Sequence, residues 1–287
     1  MGTKRRAAVA ALTVIGAVLG PLGAASAATL VASTFTANAD GWSVLGDSAA
    51  PATWVSSGGH PGGFIQVDDT VSGGVMYWVA PAKLLGDQSA AYSGRLRFDL
   101  RQSDLSSQFD ADDVVVEGGG LTLVYDTAAN PGTTFTRYSV PLTPVGWHKA
   151  TLAGPRPSVA EVKTVLASIT SLRIRAEFRT GADTDAIDTV VMTAPPETSI
   201  TSGPAHNSTT ADSTPTFTFA SSEPTGARFQ CRIFPGIPAS GVFTACDSGT
   251  FTAAPLADGL YTFQVRTLGA SGVDPTPVVR RFTVDAP

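Results

Sequence analysis

Five acidic residues, Asp104, Asp110, Asp112, Asp113 and Glu117, crowd one short stretch and form the densest set of groups that could do chemistry. Their oxygens could hold calcium, or two of them could act as a glycosidase carboxylate pair. A solvated turn between strands is the third reading, and the loop-like context favours it. The three histidines, His60, His148 and His206, lie far apart in turn-like or linker contexts, which argues against a Ser-His-Asp or metal constellation. His60 sits in "SSGGHPGGF", whose glycines lack the strand-to-helix order that cradles phosphate.

Asp188 stands apart, inside the otherwise apolar "AIDTVVM". A lone carboxylate there is costly unless it is paired or metal-bound. Glycan binding needs aromatic platforms with a few polar groups. Tyr125, Phe135, Tyr138 and Trp147 cluster around "DTAANPGTT", while Arg173, Arg175 and Arg179 alternate with Leu172, Ile174, Ala176 and Phe178. Alternation sends the arginines to one face of a strand. A ligand-binding set of Arg173, Arg175, Arg179, Tyr125 and Tyr138 is therefore one expectation. Its rival places the aromatics in the core and pairs the arginines with surface acids.

Cys231 and Cys246 are the only cysteines, 15 positions apart. In an exported chain such a pair reads as a disulfide, and no neighbouring His or Cys completes a four-ligand metal site.

The elements that must position these groups are short strands. "RLRFDLR" sets Leu96, Phe98 and Leu100 against Arg95, Arg97 and Asp99, a period of two. Ten further strand patterns run from "GWSVLG" through "ATWVSS", "GFIQVDD", "VMYWVA", "DVVVEG", "LTLVYDT", "TRYSVPL", "HKATLAG" and "LRIRAEF" to "IDTVVM". One segment differs: Ser158 and Glu161 have capping-box spacing, and Val159, Val162, Val165, Leu166 and Ile169 recur at helical spacing. The spacing predicts a helix over 158–169. Short strands with one helix fit a jelly-roll sandwich better than an α/β fold.

"TAPPETSITSGP" joins this body to a second one, and residues 197–213 are mostly Thr, Ser, Gly and Pro, the composition of a junction. "TPTFTFASS", "ARFQCRIF", "GVFTACDS", "GTFTAAPL", "GLYTFQVRT" and "VVRRFTVD" then follow at short, regular spacing, which predicts a β-sandwich.

Residues 1–27 read as a signal peptide: Lys4, Arg5 and Arg6, an apolar run, and Ala25-Ser26-Ala27. The run is short for a membrane span, so no membrane insertion is expected once the signal is removed. The general secretory route fits better than twin-arginine export. Removal takes three of the 19 Lys and Arg, leaving 16 against 24 Asp and Glu, a formal charge of −8. That balance argues against nucleic acid as a partner. The expected product is secreted and extracellular.

The first body resembles laminin domain IV, also called the laminin B domain, over roughly residues 30–193. The resemblance rests on "STFTANADGW" as the opening strand, "YWVAPAKLLGDQSAAYSGRLRFDL", "DVVVEGGGLTLVY", "GWHKATL", "PSVAEVKTVLASITSLRIRAEF" and "AIDTVVM", in that order. One departure is Ser93, between Tyr92 and Gly94. By this resemblance the connector from Pro81 to Gly94 is a structural closure, with Leu84 and Leu85 capping the core and Gly86 turning the chain; a ligand-binding lid is the alternative. The family is similar to carbohydrate-binding jelly rolls in which a final-strand aspartate helps hold a structural calcium. That implies Asp188 as a metal ligand, although Thr36 stands where the first strand would supply an acid. A hydrogen-bonded carboxylate without metal is the default reading.

The second body resembles the small immunoglobulin-like modules of bacterial secreted proteins, on "PETSITSGP", "TPTFTFASSE", the two cysteines, "LADGLYTFQVR" and "FTVD". The resemblance implies a spacer or adhesive unit.

The expected architecture is all-β: a signal peptide (1–27), a jelly-roll β-sandwich with one short helix (28–194) and a small immunoglobulin-like β-sandwich (195–287). The expected role is a secreted, non-catalytic binding or adhesion protein with a polysaccharide or extracellular-matrix ligand. An enzyme acting on extracellular glycans through the acidic cluster, and a purely structural spacer, are the alternatives.

Overall fold

The computed structural model describes residues 29–46, 51–71, 73–223, 225–237 and 241–287. The expected signal peptide lies outside them. No helix among the described residues is long and apolar enough to cross a membrane.

The first body contains β1 (Thr29–Ser33), β2 (Ser43–Leu45), β3 (Thr53–Gly59), β4 (Gly62–Asp69), β5 (Tyr77–Val79) and β6 (Arg95–Arg101). It continues with β7 (Val114–Gly118), β8 (Leu121–Tyr125), β9 (Thr136–Pro141), β10 (Trp147–Lys149), α1 (Val159–Leu166), β11 (Ile169–Arg175) and β12 (Asp183–Thr193). One sheet runs β3-β4-β12-β6-β9, with β1 also paired to β12, and the other runs β10-β8-β7-β11-β5-β2. Their inner faces share one core, in which Trp78, Leu96, Phe98, Ile174, Phe178 and Ile187 are almost wholly buried. The period of two in β6 is what places Leu96, Phe98 and Leu100 there.

The opening strand lies earlier than the resemblance implied. Thr29–Ser33 pairs with the end of β12, whereas 34–42 form turns in which Asn38 Oδ1 accepts the Asp40 N–H at 2.7 Å. A side chain that bonds its own backbone two residues on favours a turn over a strand.

Leu84 is fully buried and Leu85 packs against the core. Burying one such leucine stabilises by about 1.5–3 kcal/mol. Gly86, at φ +75°, exchanges two backbone hydrogen bonds of 2.8 Å with Ile169. A Cβ on Gly94 would strike the Thr193 carbonyl, so the turn that closes this connector requires glycine there. The preceding Ser93 takes φ +67°.

Helix α1 begins where the sequence places it. The Glu161 N–H donates to Ser158 Oγ (3.2 Å), and the Ser158 N–H donates to Glu161 Oε2 (2.7 Å). Lys149 adds a 2.9 Å ion pair to the same carboxylate. These bonds hold Glu161 down at about 2. The helix ends at Leu166 rather than at 169, because Ile169 is drawn into β11 by its bridge to Gly86.

The second body contains β13 (Thr198–Ser202), β14 (Ser208–Thr210), β15 (Thr216–Ser221), β16 (Arg228–Pro235), β17 (Thr244–Ala245), β18 (Thr250–Thr252), β19 (Gly259–Gly269), β20 (Gly272–Val273) and β21 (Val278–Val284). A β13-β15-β18 sheet and a β14-β21-β19-β16-β17 sheet, with β20 on β19, enclose a separate core of Phe217, Phe219, Phe229, Phe263 and Phe282. Cys231 and Cys246 form a disulfide at its edge, with Sγ atoms 1.96 Å apart. The Thr/Ser stretch read as a junction is partly sheet: β13 pairs with β15 and β14 runs parallel to β21. Distant partners make strands of residues whose own alternation is too weak to show them.

Candidate functional site

Tyr125 ends β8 and Tyr138 lies in β9, and both line one groove of about 320 Å³ together with Thr127, Thr136, Arg137 and Ser139. The two tyrosines occupy it differently. Tyr138 is buried, stacks on Phe98 with centroids 5.4 Å apart, and donates its hydroxyl to the Ala129 carbonyl at 2.9 Å. It is a wall. Tyr125 is half-buried, edge-on to Trp147 at 5.3 Å, and burial raises its phenol above the ordinary value. A Cβ on Gly146 would strike its ring, so Gly146 keeps that ring in place. Trp147 is buried beneath, its indole N–H donating to the Pro141 carbonyl at 2.6 Å.

Arg137 supplies the groove's charge. Its Nε and Nη2 donate to the two oxygens of Asp99, each at 2.9 Å. Asp99 is 1% exposed whereas Arg137 is 57% exposed, so the carboxylate clamps a guanidinium whose other donors face solvent. The hydrogen bond to Asp99 raises Arg137 further above its ordinary value. His60 Nδ1 reaches the same carboxylate at 3.1 Å. A half-exposed ring in a groove that Arg137 and three hydroxyls (Thr127, Thr136 and Ser139) also line suits a sugar, whose C–H face stacks on the ring while its hydroxyls find polar partners.

Arg173, Arg175 and Arg179 do not form the exposed stripe that alternation suggested. Arg175 is 1% exposed. Its Nη1 pairs with Asp113 at 3.2 Å, its Nη2 and Nε donate to the Phe109 and Glu177 carbonyls, and its guanidinium lies 4.6 Å over the Phe109 and Phe178 rings. Arg173 pairs with Glu117 at 2.5 Å, and Arg179 bonds Ser106 and the Ala182 carbonyl near Asp104. The acidic cluster of 104–117 is thereby divided. Asp113 is buried on Arg175, Glu117 is on Arg173, and Asp104 accepts the Ser106 N–H in its own turn. Burial and the charge of Asp113 raise Asp112.

Asp188 is fully buried in β12. Its Oδ1 accepts the Thr189 N–H at 2.6 Å and its Oδ2 accepts the His60 N–H. Burial raises its pKa against the pull of these bonds. Both oxygens of Asp188 thus have N–H donors, the hydrogen-bonded state expected of a carboxylate without metal. Among the described residues no three His, Cys, Asp or Glu side chains are grouped to hold a metal ion. His148 Nδ1 lies 2.7 Å from the Gly154 carbonyl, and His206 accepts the Arg281 N–H, so the three histidines do not converge.

Four buried acids of the first body escaped the sequence reading: Asp69, Glu177, Asp183 and Asp185, none more than 6% exposed. Register sets Asp183 opposite Asp69 and Asp185 opposite Val67, so Asp183 and Asp185 face inward with Ile187. Asp183 Oδ1 takes the Ser103 and Thr184 N–H groups at 3.0 and 2.8 Å, and Glu177 Oε2 takes the Met76 N–H at 3.1 Å. Neither oxygen of Asp185 has a hydrogen-bond partner among the described residues. Burial first, then the charges of Asp183, Glu177 and Asp69, push Asp185 up to about 9. The signal was available in "DTDAIDTVVM", where Asp183 and Asp185 are in phase with Ile187.

Residues 77–207 match the family model of Laminin B (Domain IV), a span that starts later and ends later than the sequence resemblance. Laminin subunit gamma-2 of Homo sapiens is 31% identical over 172 residues, covering 53% of this chain and 13% of that protein. Laminin subunit gamma-1 of Xenopus tropicalis is 30% identical over 156 residues, covering 52% of this chain and 9% of that one. The chain thus spans only about an eighth or less of the length of these relatives. Among solved structures, the L4b domain of human laminin alpha-2 aligns with 98% of its length and 58% of this chain, at 16% identity and a TM-score of 0.47. A family 11 carbohydrate-binding module of a Clostridium thermocellum cellulase aligns with 97% of its length and 58% of this chain, at 13% identity and a TM-score of 0.39.

Proposed function

We propose that this chain is an exported, non-catalytic binding protein that works outside the cell and holds a polysaccharide or matrix component in the groove at Tyr125. The observation that carries the reading is the groove itself. A half-buried ring backed by Trp147 and given room by Gly146 lines the same groove as Arg137, whose orientation Asp99 sets. The laminin domain IV match supports an extracellular binding or structural role. Division into a signal peptide, a binding body (28–194) and an immunoglobulin-like spacer (195–287) belongs to the same proposal. The engagement of Asp104, Asp113 and Glu117 by separate partners speaks against those three serving as a hydrolytic pair.

A glycan array probed with the full chain and with Tyr125→Ala tests the reading. Retained glycans should lose at least about tenfold in affinity in the variant while the melting temperature changes little. A variant that binds every retained glycan as well as the parent removes the groove from the account.

A further inference from the structure

The second body carries a charge problem of its own. On β16 and β19, Cys231 and Val265 are paired and buried, so their neighbours Gln230, Arg232, Gln264 and Arg266 lie on the sheet's outer face. Phe243, just ahead of β17, sits between the two arginines, with each guanidinium 4.3 Å from its ring centroid. Among the described residues neither arginine forms an ion pair, although the charge of the buried Asp274 acts on Arg266 and partly offsets the lowering by burial and Arg232. Arg232 donates to Gln264 Oε1 and the Gly241 carbonyl, each at 2.8 Å. Arg266 donates twice to Gln230 Oε1, at 3.0 and 2.7 Å. Arg228, two residues before Gln230 on the same strand, does have an acid partner, Asp247 at 3.1 Å.

A guanidinium has five N–H donors and stays charged in proteins. Each of these two spends two donors on neutral oxygens, and the stacking on Phe243 holds both planes in fixed orientation. The charges also oppose each other: burial and then the nearby Arg232 lower Arg266. Arg281 on the adjacent β21 extends the row, paired in register with Thr262, and its Nε has no hydrogen-bond partner among the described residues. The result is a half-buried, pre-oriented cationic face in a chain whose net charge is negative.

We infer that this outer face of β16, β19 and β21 binds an acidic polysaccharide, with Arg232, Arg266 and Arg281 holding its carboxylate or sulfate groups and Phe243 keeping the first two in place. Fork-shaped donors match planar or tetrahedral oxyanions. The register sets Arg232 opposite Gln264, two residues from Arg266, and Arg281 opposite Thr262, so an extended polymer crossing the three strands obliquely would meet the arginines in turn. The site is separate from the Tyr125 groove and does not depend on it.

Affinity electrophoresis of the full chain through gels holding polygalacturonate, dextran sulfate or neutral dextran tests the inference. The parent should be retarded by one or both acidic polymers and not by dextran, and the retardation should weaken with salt. Retardation by polygalacturonate alone assigns the face to carboxylates; by dextran sulfate alone, to sulfates. Arg232→Gln with Arg266→Gln should lower affinity at least about tenfold, whereas Tyr125→Ala should leave it unchanged. If the double variant unfolds, each single variant is read instead, with an expected partial loss. Equal retardation of parent and folded variants, or a parent unaffected by either acidic polymer, overturns the inference. Loss in Tyr125→Ala with retention in the arginine variants would assign the binding to the groove and overturn it as well.

Discussion

Each body gathers charge of one sign, fully buried in the first and half-buried in the second, and the two differ in how that charge can be relieved. In the first body Asp69, Glu177, Asp183 and Asp185 are buried, and Arg175 beside them is already engaged by Asp113. In the second, Arg232 and Arg266 lie against one phenylalanine, and their hydrogen bonds among the described residues go to amide and backbone oxygens. A carboxylate in a poorly solvated site can take up a proton, and Asp185 does so up to about pH 9. A guanidinium cannot shed its proton in the accessible range. An acid cluster can therefore be neutralised from within the fold, while an arginine cluster is relieved by an anion from outside. The first arrangement is structural, and the second is the kind that recognises a ligand.

Removing Arg175 breaks this contrast most severely. Arg175→Ala leaves Asp113 and the neighbouring acids buried without their cation, and losing one partner of a buried pair costs about 3–5 kcal/mol. Chemical denaturation should show the first body destabilised by that order and the second unaffected. A near-normal first body would mean that the acids are already neutral without it.

Reducing the Cys231–Cys246 disulfide comes next. Opening a loop of this length costs about 3 kcal/mol on the chain-entropy model. Calorimetry with and without reductant should lower the transition of the second body alone, and the arginine face should lose its polymer retention as that body melts. A shift in the first transition would show that the two bodies do not unfold independently.

Asp185→Asn sharpens the comparison through pH. The folded pKa of Asp185, about 9, lies above its ordinary value of 3.8, so folding takes up a proton between them. The stability this group contributes is complete below 3.8 and is lost as pH rises towards 9. The amide removes that dependence. Between about pH 4 and pH 9 the variant's advantage over the parent should grow by up to about 1.4 kcal/mol per pH unit, and it should nearly vanish near pH 4. Parallel stability curves for the two proteins would mean that Asp185 is not the group that carries the proton.

Local patterns in the chain carried much of the fold. The alternation of Leu96, Phe98 and Leu100 marked β6, and the Ser158–Glu161 box marked the start of α1, because both signals act between residues close in sequence. Strands β13 and β14 were not legible: their Thr- and Ser-rich stretches become sheet only beside β15 and β21. Of the binding residues, Tyr125 and Tyr138 do share a groove, whereas the arginine stripe dissolved into separate pairings.

Composition, spacing and period settled the all-β character, the position of the helix start and the pair of cysteines. Only the tertiary structure decided that Arg175 is buried on Asp113, that Asp188 is held by the His60 and Thr189 N–H groups, and that Phe243 lies between Arg232 and Arg266. Alternation tells which side of a strand a side chain leaves from. Whether that side meets water, a loop or another sheet depends on segments tens of residues away, and desolvation by those segments gives a charged group its role.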